Sequence, residues 1–320
     1  MMRERKGYAR HARGKVPRGV YPERSRGARD ACARKPGTAP DRVLGAFTLI
    51  ELLVVIAVIA LLLAILMPAL RRAKGQGQMA ACSAQLRQFG LAWSQYADDN
   101  DGFNIEYAPS SQWASGGFWF YKLGPYFSAK DFAKAQGDTR SGVLKILRCP
   151  AAKVWRNRYN DVSPLYGAHD LAWRWDSRTG PQGREQVHEG SYTLNGWMQN
   201  LSAERKSAYG AERVKRYYFK YDDAHVESPL ICDGGWVDTW PDNSDVAGTR
   251  TFRDLKGAGI PGAPYRMSPN SLTRILLERH GRGINILFKA AHVQRVPLEK
   301  VCQYKWHRYF TPVGELELPP

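Results

Sequence analysis

The residues best suited to chemistry in this chain are few and widely spaced. Five cysteines occur, Cys32 near the start and Cys82, Cys149, Cys232 and Cys302 further on, and no Cys-x-x-Cys pair is among them. In an oxidising compartment the last four could close two disulfides in any of three pairings, and the alternative is free buried thiols. Zinc ligation by these cysteines is disfavoured by their long, unpaired spacings. His280 with His292, and His225 with Asp233, are the other groups whose types would suit a metal, but a histidine beside glycine at a strand edge serves backbone hydrogen bonding as readily. The expectation is therefore no metal, with His280 and His292 the nearest candidates. Asp238, Asp242 and Asp245, and separately Asp98, Asp99 and Asp101, could take calcium. Neither group has the spacing of an EF-hand, since Ala97 and Ala108 stand at the first and last ligand positions of the second, and solvated acidic loops are the simpler reading. Calcium is the one cofactor left open. No nucleophile elbow, phosphate loop or paired-carboxylate context is present, so no catalytic residue is expected. Trp113, Trp119, Trp155, Trp173, Trp175, Trp236 and Trp240 fall partly in glycine-rich loops, where aromatic faces could stack on sugars. As core and loop anchors they would serve a loop-rich domain equally well.

These residues must be held by the elements around them, and the dominant element is apolar. From Phe47 to Leu70 the only interruptions are Thr48, Glu51 and Pro68. As a helix rising 1.5 Å per residue the stretch is about 36 Å long, enough to cross a hydrocarbon core of about 30 Å. Leu52 to Met67 has no polar side chain, which leaves a membrane span or a fully buried core helix. A carboxylate inside a membrane span is costly and usually functional, so Glu51 is the residue to explain.

Residues 1–46 read differently. They hold 13 Lys/Arg against 4 Asp/Glu, which is +9 of the formal +17 of the chain, with scattered Gly and Pro and no apolar period. Such a segment cannot bury a core. Basic residues just before a span keep that end in the cytoplasm and put the rest of the chain on the far side. Arg24, Arg26, Arg29, Arg34 and Lys35 could hold a phosphate backbone, but an arm that precedes a span and lacks interleaved aromatics points away from nucleic acid.

Beyond Pro68, a helix breaker, Arg71, Arg72 and Lys74 mark the membrane interface. Met79, Cys82, Leu86, Phe89, Trp93 and Tyr96 then recur at spacings of three and four, an amphipathic helix over 71–97. Gly75 and Gly77 weaken it near the membrane exit, inviting a bend or a melted turn. Asp98-Asp99-Asn100-Asp101-Gly102 supplies the stop. Residues 98–320 are rich in Gly, Pro, Trp and Tyr with short apolar runs, an irregular α+β domain with a small antiparallel sheet. Val143 to Leu147, Leu230 to Cys232, Ile284 to Phe288 and Val293 to Val296 are the expected strands. If the helix stripe packs on that sheet, Cys149 at the end of the first strand could reach Cys82 and close a loop of about 66 residues, contributing about 4 kcal/mol.

Gly45-Ala46-Phe47-Thr48-Leu49-Ile50-Glu51-Leu52-Leu53 resembles the cleavage and methylation motif of prepilin-type proteins, the type IV pilins and type II secretion pseudopilins. The resemblance implies removal of the basic leader between Ala46 and Phe47, which keeps Glu51 as the fifth mature residue; family members usually carry Gly before the cut. It implies N-methylation at Phe47, a pilin-like fold with the helix laid on the sheet by its outer half, and a single pass through a bacterial inner membrane with a periplasmic or extracellular domain. The implied partners are prepilin peptidase, other pilin or pseudopilin subunits, the inner-membrane assembly platform and the membrane itself. Cys82-Ser-Ala-Gln-Leu-Arg-Gln88 with Tyr96, Arg148-Cys149-Pro150 and Ser191-Tyr192-Thr-Leu-Asn195-Gly196 look like landmarks of one large subfamily. Arg279-His280-Gly281 through His292-Val293 is similar to its C-terminal signature, a His followed nine residues later by Asp-Gly. Here those two positions are Ala290-Ala291, which removes the residues that favour a tight hairpin turn and the obvious third ligand for any metal at His280 and His292.

The expected function is thus a structural subunit, cut by a peptidase and assembled into a pilus or pseudopilus, and not an enzyme. The main alternative is a membrane-anchored glycan- or polymer-binding module that never polymerises. A periplasmic hydrolase with a metal at His280 and His292 is the third reading.

Overall fold

A computed structural model describes residues 48–107, 118–127, 146–153, 166–177, 186–251, 255 and 271–319. The processing residues Gly45, Ala46 and Phe47, together with Trp113 and Trp155, lie outside them. The chain divides into two compact units, Met1–Ala57 and Val58–Pro320.

In the first unit the described residues begin helix α1 (Leu49–Asp99). Thr48 and Glu51 cap it reciprocally. The backbone N–H and the hydroxyl of Thr48 donate to Glu51 Oε2 at 2.9 and 2.8 Å, and Glu51 N donates back to Thr48 Oγ1 at 3.2 Å. This is a capping box, which satisfies amides that the first helical turn leaves without partners.

In the second unit α1 runs on as helix through Pro68, Gly75 and Gly77 to Asp99. The expected break at Pro68 and the melted turn beyond it are corrected accordingly. Proline removes one amide donor from the helix and glycine about 1 kcal/mol of propensity, and neither ends a helix whose flanking residues are strong helix formers. Large apolar side chains from Leu49 to Leu70 are all about half exposed or more. This is the one helix among the described residues long and apolar enough to cross a membrane, by length and composition. From Cys82 onward the helix changes role, and Cys82, Leu86, Phe89, Gly90, Ala92, Trp93 and Ala97 are buried. The turn after it places Asp101 and Gly102 at φ 53° and 76°, and Gly102 N closes on Ala97 O at 2.8 Å.

Among the described residues seven strands follow: β1 (Trp173–Ser177), β2 (Gln186–Gly190), β3 (Tyr192–Asn195), β4 (Pro229–Asp233), β5 (Asp238–Thr239), β6 (Gly283–Phe288) and β7 (Val293–Pro297). β1 and β2 form an antiparallel ribbon. The other five form one sheet in the order β5-β3-β4-β6-β7, antiparallel except that β5 runs parallel to β3. The sheet is thus mixed rather than purely antiparallel, within an α+β architecture. Three of the expected strands are β4, β6 and β7. The described end of the fourth, Ile146 and Leu147, is helical turn and turn.

Both faces of the sheet are covered. On one, Leu86, Phe89 and Trp93 of α1 join Tyr192, Leu194, Ile231 and Leu287 in one core. Gly90 permits the approach, since a Cβ there would come within 2.9 Å of Leu287 Cδ1. Phe89 meets Tyr192 edge-to-face at 5.9 Å. On the other face Cys232, Ile284, Ile286 and Phe288 pack with Cys302 and Trp306. The β6–β7 hairpin closes despite Ala290-Ala291. Phe288 N donates to His292 O at 2.9 Å and Ala291 N to Phe288 O at 2.9 Å, with Ala291 held at φ 60°.

Candidate metal centre

Four segments far apart in sequence bring one side chain each to a single point. Cys82 comes from the buried stripe of α1. Cys149 lies in the turn after Leu147, which Ser191 pins from both sides: Ser191 N donates to Leu147 O at 2.8 Å, and Cys149 N donates to Ser191 Oγ at 2.8 Å. Asp233 is the last residue of β4. His280 sits in the turn that leads into β6, where His280 N reaches Gly283 O at 3.2 Å and Gly281 supplies the left-handed backbone, φ 61°.

One ligand atom from each of Cys82, Cys149, Asp233 and His280 lies within 4.8 Å of every other. Cys82 Sγ is 3.3 Å from Asp233 Oδ1 and 3.6 Å from Oδ2. His280 Nε2 is 3.3 Å from Cys149 Sγ and 3.3 Å from Asp233 Oδ2. The two cysteines and Asp233 have no exposed surface, and the His280 side chain is 3% exposed.

Surrounding groups hold these atoms in place. Asn285 N donates to Asp233 Oδ2 at 2.9 Å and Ala151 N to Cys149 Sγ at 3.4 Å. The buried guanidinium of Arg279 stands 3.8 Å from Asp233 Oδ1 and donates to the carbonyls of Ala168, His169, Leu171, Ser191 and Gly234. Burial pushes the Asp233 carboxyl up, but the hydrogen bond and charge of His280, Arg279 and the Asn285 amide outweigh it and hold Asp233 below the usual carboxylate range. Burial likewise pushes His280 down, and Asp233 and Cys149 overcome this and raise it to about 9. A hydrogen bond from Cys82 lowers Cys149 to about 6, while burial raises Cys82 well above an ordinary thiol. The group gathers two sulfurs, an imidazole nitrogen and a carboxylate oxygen around a shared centre.

Three chemistries fit thiols in this setting, and geometry separates them. A nucleophilic thiolate needs an approach for substrate and a base oriented through its second nitrogen. Here Cys149 is fully buried, and one nitrogen of His280 faces both Cys149 and Asp233. A disulfide needs sulfurs about 2.05 Å apart. Cys82 and Cys149 are free thiols, as are Cys232 and Cys302, so the expected Cys82–Cys149 bridge is corrected even though the two residues do converge. The third chemistry is metal ligation, for which thiolate, imidazole and carboxylate are the usual zinc donors.

All four residues are ones the sequence singles out, but with different partners. His280 joins the cysteines and Asp233 rather than His292, which is exposed and stacks on Phe288 at 4.7 Å. His225 is exposed in a turn and accepts from Glu227 N at 3.2 Å, far from the role foreseen beside Asp233. The acidic groups are otherwise employed: Asp238 pairs with Arg274 at 3.2 Å, and Asp242 and Asp245 form a capping box on the helix Asn243–Gly248. Asp98, Asp99 and Asp101 are exposed at the end of α1.

A separate cleft of about 760 Å³ is lined by Trp197, Tyr209, Arg213, Trp240, Asp242 and Arg274 among others. Of the tryptophans considered for sugar stacking, Trp119, Trp173 and Trp236 are buried core residues, and Trp240 lines the cleft. Compared with protein-family models, curated proteins and solved structures, the chain matches none.

Proposed function

We propose that this chain is a structural prepilin-like subunit: a single-span protein, cut before Phe47 by a prepilin peptidase, held in a bacterial inner membrane and assembled with other subunits into a pilus- or pseudopilus-like filament. It is a substrate of processing and assembly rather than an enzyme. The observation that carries this reading is the division of labour along α1. Residues from Leu49 to Leu70 expose every large apolar side chain, while Cys82 to Ala97 bury a stripe. A helix bare over more than twenty residues needs lipid, or copies of itself, to cover it. The motif around Phe47 and Glu51 selects filament assembly over simple anchoring by its resemblance to the prepilin cleavage site.

The alternative, a glycan- or polymer-binding module, draws on the Trp240 cleft. Its aromatic faces are already engaged, with Arg213 over Tyr209 at 4.6 Å and, nearby, Arg205 over Tyr107 at 4.2 Å. Stacking on a sugar would have to displace these cations.

Glu51 tests the filament reading. After leader removal the new α-amino group on Phe47 of one subunit can meet Glu51 of a neighbour at the same depth. Burial makes that pair a register device more than a source of stability. The capping box adds a control, because Gln preserves the cap while removing the charge. Glu51→Leu and Glu51→Gln should both insert and be cleaved but be depleted in sheared filaments relative to membranes. Parent-like ratios for both would refute the reading, and loss with Leu alone would assign Glu51 to capping only.

A further inference from the structure

We propose that Cys82, Cys149, Asp233 and His280 bind one Zn²⁺ ion, which clamps α1 to the sheet. This inference stands independently of the filament reading.

Distances come first. Tetrahedral zinc has bonds of about 2.0 Å to oxygen and nitrogen and about 2.3 Å to sulfur, so its ligand atoms stand about 3.3–3.8 Å apart. The contacts between Cys82 and Asp233, His280 and Asp233, and His280 and Cys149 are 3.3–3.6, 3.3 and 3.3 Å. One nitrogen of His280 facing a sulfur and a carboxylate oxygen at once, each at 3.3 Å, suits an ion between them better than a hydrogen-bond relay.

The donor set then chooses the metal. Two thiolates exclude the hard cations calcium and magnesium, and two sulfurs with one nitrogen and one carboxylate oxygen suit Zn²⁺. Charge closes as well. Binding sends the thiol protons, and any proton on His280, to solvent. Two thiolates and one carboxylate around the dication then leave one negative charge, which Arg279 faces from 3.8 Å. The surroundings resemble those of a held ligand set: the Asn285 amide fixes the carboxylate and the Ala151 amide fixes a sulfur.

The four ligands belong to α1, the turn after Leu147, the end of β4 and the turn before β6. A single ion would tie together segments that the cysteines do not join covalently, and would shield both thiols from oxidation.

The test uses the full chain, extracted in detergent from membranes and purified without metal-affinity resin. Elemental analysis should find one zinc per chain. The Cys82 and Cys149 thiols should both react fully with alkylating agent in the denatured, chelated chain without reductant, as no disulfide joins them. Cobalt substituted into the chelated protein should give tetrahedral ligand-field bands with thiolate charge transfer. Cys149→Ser and His280→Ala should lower bound zinc at least tenfold, whereas Cys232→Ser and Cys302→Ser should keep it. Where a ligand variant fails to fold, the zinc content and the cobalt spectrum of the parent chain decide. Metal content near zero with no cobalt spectrum, or a Cys82–Cys149 disulfide in non-reducing peptide maps, overturns the proposal.

Discussion

Arg279 and Asp233 face each other at 3.8 Å with both side chains fully buried. A charge taken out of water is tolerable only if its partners replace the water, and Arg279 has them in the five backbone carbonyls it reaches. It binds the 168–171 loop to the ends of β3 and β4 and supplies a counter-charge to the Cys82, Cys149, Asp233 and His280 group.

Breaking this arrangement should be expensive. Arg279→Met takes from the buried Asp233 its permanent counter-charge, and Arg279→Lys lacks the planar fork that serves several carbonyls at once. We expect each to lose about 3 to 5 kcal/mol in urea unfolding of the detergent-solubilised chain. A loss below 1 kcal/mol in both would show that the guanidinium is dispensable.

The β6–β7 hairpin carries a correctable strain. Ala291 stands at φ 60°, a conformation that costs L-residues about 1–2 kcal/mol and glycine almost nothing. Part of the gain is returned as unfolded-chain entropy, so Ala291→Gly should raise stability by about 1 kcal/mol. Calorimetry of parent and variant compares them, and a lower melting temperature in the variant contradicts the turn geometry.

His307 should weaken the fold in acid. Burial lowers it to about 4 against the opposing pull of Asp242, with Arg216 and Lys305 adding to the decrease. Its Nδ1 already accepts from Tyr309 N at 3.1 Å, which requires an unprotonated nitrogen there. A base with its folded pKa below the unfolded value of about 6.5 contributes stability that is complete above pH 6.5 and lost as the pH falls towards 4. Asp238 and Asp245, raised by burial to about 6, act in the opposite direction over that range. Comparison with His307→Gln isolates the histidine, and the parent should lose stability more steeply between pH 6.5 and 4. Parallel curves would mean His307 is not the source.

Processing gives the most direct readout. Membrane-extracted protein from the native host should have an intact mass for residues 47–320 plus one methyl group, beginning at Phe47. An unprocessed N-terminus, or a start at Ala46, would respectively reject the cleavage or shift Glu51 out of fifth place.

The sequence by itself determined what local interactions decide. The 3.6-residue stripe from Cys82 to Ala97 and the unbroken apolar run before it specify α1, because each residue's helical environment is set within one turn. The apolar runs Leu230–Cys232, Ile284–Phe288 and Val293–Val296 likewise read as strands and are strands. β3 was not legible: Tyr192-Thr-Leu-Asn195 is short and half polar, and it is buried only because β4 and β5 flank it and Asn195 finds the carbonyls of Pro229 and Trp306. Only the tertiary structure decided how the chemically capable residues combine. Cys82 and Asp233 are 151 residues apart and Cys149 and His280 are 131. No spacing rule spans such distances, so the sequence paired Cys82 with Cys149 and His280 with His292. The packing of α1 on the sheet brought Cys82, Cys149, Asp233 and His280 to one point and left His292 outside.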